Sequence, residues 1–284
     1  MTESELIQNL IRLAFSEDIG DGDHTTLCSI PETEVGQSKL LIKEAGILAG
    51  VDIAVEVFHF FDPELKVEIF LGDGTQVEPG DVAFIVSGKV RSILQTERLV
   101  LNIMQRMSGI ATVTSRYMKL LEGTSAKVLD TRKTTPGMRI LEKRAVKIGG
   151  GENHRIGLFD MILLKDNHVD FAGGIEKAIR GAQNYLKEKN KELKIEIEIR
   201  NMDELQEALR VGGVDRIMLD NFTPAQTLEA VKTVRAVNHC VELESSGGIG
   251  IDTIRDFAEA GVDYISVGAL THSVKSLDMS LKAI

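Results

Sequence analysis

The stretch IEIEIRNMDELQEALRVGGVDRIMLDNFTPAQTLEAVKTVRAVNHCVELESSGG (195–248) decides the fold. It holds three short apolar runs, Ile195–Ile199, Arg216–Leu219 and Val241–Glu244, each ending in polar or glycine residues. Helical stretches lie between them. Asp203 to Arg210 is one, and another opens with Thr223 as N-cap and Pro224 at the first helical position. The same rhythm extends outward. Lys127–Thr131 and Met161–Lys165 precede the stretch, and Tyr264–Val267 follows it after a helix that runs from Asp252 to Ala260 and closes on Gly261. Strands alternating with helices at this spacing predict parallel βα units. Six such strands predict an irregular parallel α/β barrel with fewer than eight strands, with a doubly wound open sheet as the alternative.

The first 120 or so residues read differently, as mixed α and β. Ser4 to Glu17 has amphipathic helical spacing, and GDGDHTT (20–26) is a turn-rich loop. Lys39–Ile42 and Ile47–Ala49 are short strands, and Val51–Phe61 is a helix that stops before Pro63. Val67–Leu71 and Val82–Val86 read as antiparallel strands, and Ser92–Leu121 as helical with a break near Ser108-Gly109. The boundary between the two parts falls near residues 108–123.

With 284 residues, 43% of them hydrophobic and 27% charged, the chain can build a sizeable core. No apolar run approaches the roughly 18 residues of a membrane span. The acidic start MTESELIQNL does not read as a signal peptide, and Cys28 and Cys240 form no framework, so a cytoplasmic location is expected. A net charge of −10 argues against a nucleic-acid surface. The charge is uneven, however. Between Asp130 and His168 eight basic residues face five acidic ones, an island suited to a small anion. Within it, Arg139 to Lys147 reads equally well as a solvated charged helix.

In a parallel α/β barrel the active site forms at the C-terminal ends of the strands. Those ends carry Asp130, Thr131, Arg132, Lys133 and Thr134; then Lys165, Asp166, Asn167 and His168; then Glu198 and Arg200; Asp220-Asn221; Ser245-Ser246-Gly247-Gly248; and Gly268-Ala269. Charges at the end of strand after strand predict a polar, ligand-filled mouth. Arg132, Lys133, His154, Arg155 and Lys165 together suit a ligand with several negative charges. Glu198 and Asp220 suit sugar hydroxyls or Mg²⁺. SSGGIG (245–250) and Val267-Gly268-Ala269 sit where such barrels hold a phosphate, while Gly149-Gly150-Gly151 reads as a flexible loop. There is no Walker A motif, no zinc spacing and no GxSxG elbow.

The segments DTRKTTPGMR (130–139), KIGGGENHRIGLFDMILLKDNH (147–168), IEIEIRN (195–201), MLDNF (218–222), LESSGGI (243–249) and VDYISVGALTHS (262–273) resemble the quinolinate phosphoribosyltransferase family. So do EDIGDGDHTT (17–26), EAGILAGVD (44–52) and ERLVLNIMQRMSGIAT (97–112), in colinear order over nearly the whole chain. The resemblance implies an N-terminal α/β sandwich domain over 1–112 and a barrel domain over 113–284, whose last helix packs back on the first domain. It also implies a homodimer or dimer-based hexamer with shared sites, each completed by the partner's equivalent of Arg98. Arg132, Lys133, His154 and Arg155 would surround the two quinolinate carboxylates, with Thr131 beside them. Lys133 and Lys165 would face phosphates of phosphoribosyl pyrophosphate, and Glu198 and Asp220 the ribose hydroxyls and Mg²⁺. In this reading Lys133, Glu198 and Asp220 are catalytic, and Ser246, Gly247, Gly248, Val267, Gly268 and Ala269 hold the 5′-phosphate. Rival readings are a molybdate-associated relative of the same fold, a phosphosugar sensor without transferase activity, and another barrel decarboxylase.

Overall fold

The computed structural model describes residues 2–284, and its contacts divide the chain into two units. The first takes in residues up to Ser115, then Thr134–Gly150 and Leu270–Ile284; the second takes in Arg116–Lys133 and Gly151–Ala269. The division is therefore interleaved along the chain, where the sequence reading has a single cut after residue 112.

In the first unit, α1 (Glu3–Ile19) starts on a capping box formed by Thr2 and Glu5 and buries Ile7, Ile11 and Phe15 at helical spacing. The GDGDHTT loop launches a short helix, α2 (His24–Ser29), whose first turn is capped by the Asp23 side chain. β1 (Val35–Ile42), β2 (Gly46–Ile47), α3 (Val51–Phe61), β3 (Lys66–Ile69), β4 (Gln76–Val77) and β5 (Val82–Lys89) follow. β1 lies between β5 and the chain's last element, Met279–Ala283, in an antiparallel sheet that β3 extends. That last element is a strand, not the expected helix. Met279 and Leu281 are buried and alternate with Ser280, a period of two that fits a sheet edge.

The helix α4 (Val90–Leu120) runs for 31 residues without the break expected at Ser108-Gly109. Both residues serve close approach instead. The Ser108 hydroxyl accepts from Ala49 N (2.9 Å) and donates to Ala49 O (3.2 Å). A Cβ on Gly109 would lie 2.3 Å from the Lys275 carbonyl oxygen. α5 (Arg139–Ile148) is neither a solvated helix nor an open basic face, since Leu141, Glu142, Lys143, Ala145 and Val146 are buried. Its fully buried Glu142 accepts from Arg106 Nε (3.0 Å) and Nη2 (2.8 Å). Gly149 is a contact point as well, because a Cβ there would meet the Ala111 carbonyl at 2.4 Å.

The second unit is built on six parallel strands: β6 (Lys127–Leu129), β7 (Ile162–Leu164), β8 (Ile195–Ile199), β9 (Arg216–Asp220), β10 (Glu242–Ser246) and β11 (Tyr264–Ser266). Between them run α6 (Asp166–Ala172), α7 (Ile175–Lys189), α8 (Met202–Val211), α9 (Pro224–Val237) and α10 (Ile254–Glu259). The strand order is β6-β11-β10-β9-β8-β7. The first strand thus pairs with the last, as in a barrel, with a gap between β6 and β7. A doubly wound sheet would instead change direction at a switch point inside the sheet. The free edge of β6 is covered by the chain at Glu152, whose N–H donates to Val128 O (2.8 Å) and whose carbonyl accepts from Asp130 N (3.1 Å).

The close approach at Gly109 gives a paired test. Gly109→Ala is expected to destabilise by about 1–3 kcal/mol through overpacking. Gly181→Ala, in the middle of α7 with open space around it, is expected to stabilise by about 0.5–1 kcal/mol. Urea unfolding of both variants checks the two signs.

Candidate active site

Side chains alternate along a strand, so in β8 Glu196 and Glu198 share one face while Ile195, Ile197 and Ile199 share the other, and all five are buried. A barrel covered by helices needs an apolar outer face, which leaves the carboxylates pointing inward. On β9 the same rule groups Arg216 with Asp220, and on β10 it groups Glu242, Glu244 and Ser246.

The lower layer of this interior is a closed charge network. Arg216 donates from Nη1 to Glu244 (3.0 Å), from Nε (3.1 Å) and Nη2 (3.0 Å) to Glu242, and stacks over the Tyr264 ring. Ser266 Oγ donates to the other oxygen of Glu244. His154 Nε2 lies 3.0 Å from Glu196 Oε2 and 3.5 Å from Glu244 Oε2. Burial alone would lower the imidazole's pKa, but these two carboxylates more than offset it and raise it to about 9. The Arg155 backbone N–H donates to Nδ1 (2.7 Å) and opposes a second proton there. Three donor atoms of His154, Glu196 and Glu244 lie within 4.8 Å of one another, a spacing that would suit a metal. Arg216 already supplies a cation to Glu244. His154 is therefore turned into the barrel, although the sequence reading puts it beside a ligand.

The upper layer is the mouth. Asp130 is fully buried just after β6. One carboxylate oxygen accepts from His154 N (2.9 Å) and the other from the Asn153 amide (2.6 Å). This fixes the segment that carries Arg155. Arg155 is 9% exposed, and its guanidinium donates from Nη1 to Met161 O (3.2 Å). Burial, and then repulsion from the nearby Arg132 guanidinium, push its pKa down, with Glu196 and Asp160 only partly offsetting them. Two guanidiniums near enough to repel, one buried and one half-buried, suit a ligand with anionic oxygens.

Glu198 stands at the end of β8, 3.8 Å from Lys165 Nζ. Burial and then the neighbouring Asp220 raise its pKa, with Lys165 opposing and Asp166 adding. Asp220 is raised by burial, is hydrogen-bonded by the Asn221 amide (2.6 Å), and senses Lys165, Asp166 and Lys133. Lys133, Lys165, Glu198 and Asp220 thus share one electrostatic neighbourhood. Thr131 Oγ1 accepts from Lys133 N (3.0 Å) and shapes that turn.

Ser246 closes β10, and its carbonyl accepts from Asn221 N (2.9 Å). Gly247 has φ +100°, and a Cβ there would meet Asn221 Oδ1 at 2.2 Å, so only glycine fits this loop. Val267 N donates to Leu129 O (3.0 Å), which sets Gly268 and Ala269 at the end of β11. Two expected mouth residues have other work. Arg200 pairs with Asp170 (2.9 Å) and Glu204 (2.7 Å) on the surface, and His168 accepts from Lys165 N (3.0 Å) as a cap of α6. Arg98 belongs to the first unit, exposed on α4, and has no hydrogen bond or ion pair among the described residues. Glu196, Glu244, Arg216 and Asn153 were not anticipated. The signal for them is the polar–apolar alternation of IEIEI, RIMLD and ELESS inside helix-covered strands.

The chain is similar to known proteins over its whole length. The family model for the quinolinate phosphoribosyl transferase N-terminal domain matches residues 23–108, and that for the C-terminal domain matches residues 110–282. It is 44% identical to the chloroplastic nicotinate-nucleotide pyrophosphorylase (carboxylating) of Arabidopsis thaliana, covering 97% of this chain and 82% of that protein. It is 40% identical to the probable nicotinate-nucleotide pyrophosphorylase (carboxylating) of Bacillus subtilis, covering 97% and 92%. The solved structure of NadC from Streptococcus pyogenes superposes with a TM-score of 0.91 at 38% identity, covering 100% of this chain and 99% of that one. With both domain models matched in order on a six-stranded parallel barrel and a separate antiparallel sheet, the chain belongs to the quinolinate phosphoribosyltransferase family.

Proposed function

We infer that this chain transfers the phosphoribosyl group of phosphoribosyl pyrophosphate to quinolinate with decarboxylation, giving nicotinate mononucleotide, pyrophosphate and CO₂, as in NAD biosynthesis. The observation that carries this reading is the buried Arg155 with the half-buried Arg132 close enough to repel it, next to a carboxylate–lysine cluster. The guanidiniums match two adjacent ring carboxylates, and Lys133 and Lys165 match phosphates. Thr131 lies beside Lys133 on the same turn. Ser246, Gly247, Gly248, Val267, Gly268 and Ala269 take the 5′-phosphate on backbone N–H groups, which is why Gly247 must lie so close to Asn221.

The ring nitrogen attacks the ribose C1 as the C1–O bond to pyrophosphate breaks. Positive charge develops on the ribose, and the Glu198 and Asp220 carboxylates stabilise it. Lys133 and Lys165 face the departing pyrophosphate. The positive charge on the quaternised nitrogen then stabilises the electron pair left at C2 when CO₂ departs, and a proton taken up from solvent replaces the lost carboxylate there. Orientation and charge placement supply the catalysis, with no covalent bond to the enzyme.

Glu198 and Asp220 are hard oxygen donors whose pKa values are raised first by burial and then by neighbouring acids, Asp220 and Asp166 for Glu198 and Asp166 for Asp220, a setting that favours a cation. We propose that they hold Mg²⁺, partly through water; when bound it adds charge neutralisation for the pyrophosphate. We further propose a homodimer or a dimer-based hexamer in which the partner subunit's Arg98 completes each site. The exposure of Arg98 on α4 supports this. Among the described residues no helix is long and apolar enough to cross a membrane, and the two exposed free cysteines fit a reducing, cytoplasmic setting.

Product formation from quinolinate, phosphoribosyl pyrophosphate and Mg²⁺ tests the reaction: nicotinate mononucleotide is expected only with all three present. Well-folded protein giving no product would return weight to a molybdate-associated relative or a sensor. Arg155→Ala is expected to lower kcat/KM for quinolinate roughly 10- to 100-fold, the size of a lost charge-assisted hydrogen bond. Arg98→Ala and Arg132→Ala are each expected to be nearly inactive, with activity partly regained when the two are mixed under subunit exchange. No recovery despite proven exchange would contradict shared sites.

A further inference from the structure

Glu196 has a narrower role than the other interior charges. It is fully buried on β8, and neither carboxylate oxygen has a hydrogen-bond donor of good geometry. Its close ionic contact is His154 Nε2 at 3.0 Å. Glu244, the other carboxylate near that ring, is already held by Arg216 and Ser266. A buried carboxylate with so little compensation adds little to stability and often subtracts from it. What it does here is orient the ring. With Nε2 facing Glu196, Nδ1 faces back to its own neighbour and accepts from Arg155 N at 2.7 Å. The contacts run in one line from the barrel interior to the guanidinium at the mouth. A carboxylate that fixes a histidine's tautomer and tilt is a familiar outer-shell device around reacting groups.

We propose that Glu196 is a positioning residue for quinolinate. Through His154 it sets the backbone direction of Arg155, and so the placement of the guanidinium that receives a substrate carboxylate. The inference rests on the functional reading above. It separates Glu196 from its strand neighbour Glu198, which faces the ribose side of the site. Losing Glu196 should therefore weaken quinolinate and spare phosphoribosyl pyrophosphate.

The test uses the full chain with Glu196→Leu and Glu196→Gln, measuring KM for each substrate at saturation of the other, alongside thermal unfolding. Glu196→Leu is expected to fold with an unfolding midpoint at or above the parent's. Its KM for quinolinate should rise about 10-fold or more, while that for phosphoribosyl pyrophosphate stays near the parent value. Glu196→Gln, whose amide oxygen still accepts from Nε2–H, should restore most of the quinolinate affinity. A folded Glu196→Leu with unchanged quinolinate KM overturns the proposal. So does an equal rise in both KM values with a lowered midpoint, the mark of a purely structural role. If Glu196→Leu does not fold, His154→Gln carries the test with the same selective rise expected, and an equal rise again overturns it. Parent protein inert toward quinolinate would overturn the functional reading and this inference together, whereas active parent with an unaffected variant overturns the inference alone.

Discussion

The Asp130 carboxylate, buried at the end of the first barrel strand, is the constraint on which the site depends. Six strands leave the barrel open between β6 and β7, and an open parallel edge in a buried setting needs its hydrogen bonds met. Chain at Glu152 meets them along β6, and Asp130 then catches the next two residues, Asn153 through its side chain and His154 through its backbone. Closing the barrel and placing Arg155 at its mouth are thus one event. A charge that looks like a ligand contact in the sequence is the anchor for the residues beside it.

The interior divides by height. Low in the barrel, Arg216 compensates the carboxylates of Glu242 and Glu244, while Glu196 has only the His154 ring close beside it. Near the mouth compensation is incomplete. Arg132 and Arg155 repel each other, and burial and then Asp220 raise the pKa of Glu198. Unbalanced positive charge beside unbalanced negative charge suits a substrate pair with carboxylates at one end and a developing cation at the ribose.

Much of this was readable from residues alone. The βα rhythm placed all six barrel strands within a residue or two, and the capping box at Thr223 and Gln226 starts α9 where Thr-Pro predicts. Reading strand ends singles out Lys133, Lys165, Glu198 and Asp220, which the structure brings into one electrostatic neighbourhood. Failures came where a local signal serves a tertiary purpose. Ser108-Gly109 reads as a helix break, yet it is a docking point for Ala49 and Lys275. The charges of Arg139–Lys147 read as solvated, yet Glu142 is buried against Arg106, a partner 36 residues away. The closeness of His154 to Glu196 and Glu244 is hidden in the sequence because those residues are distant along the chain. The alternation in IEIEI already held that information, once the outer barrel face is required to be apolar.

The most direct measurement is a crystal structure of the protein with quinolinate bound. The account predicts the two ring carboxylates on the guanidiniums of Arg132 and Arg155, the ring nitrogen facing Glu198 and Asp220, and His154 still turned to Glu196. Quinolinate bound away from Arg132 and Arg155, or His154 rotated out of the barrel to meet it, would contradict the account.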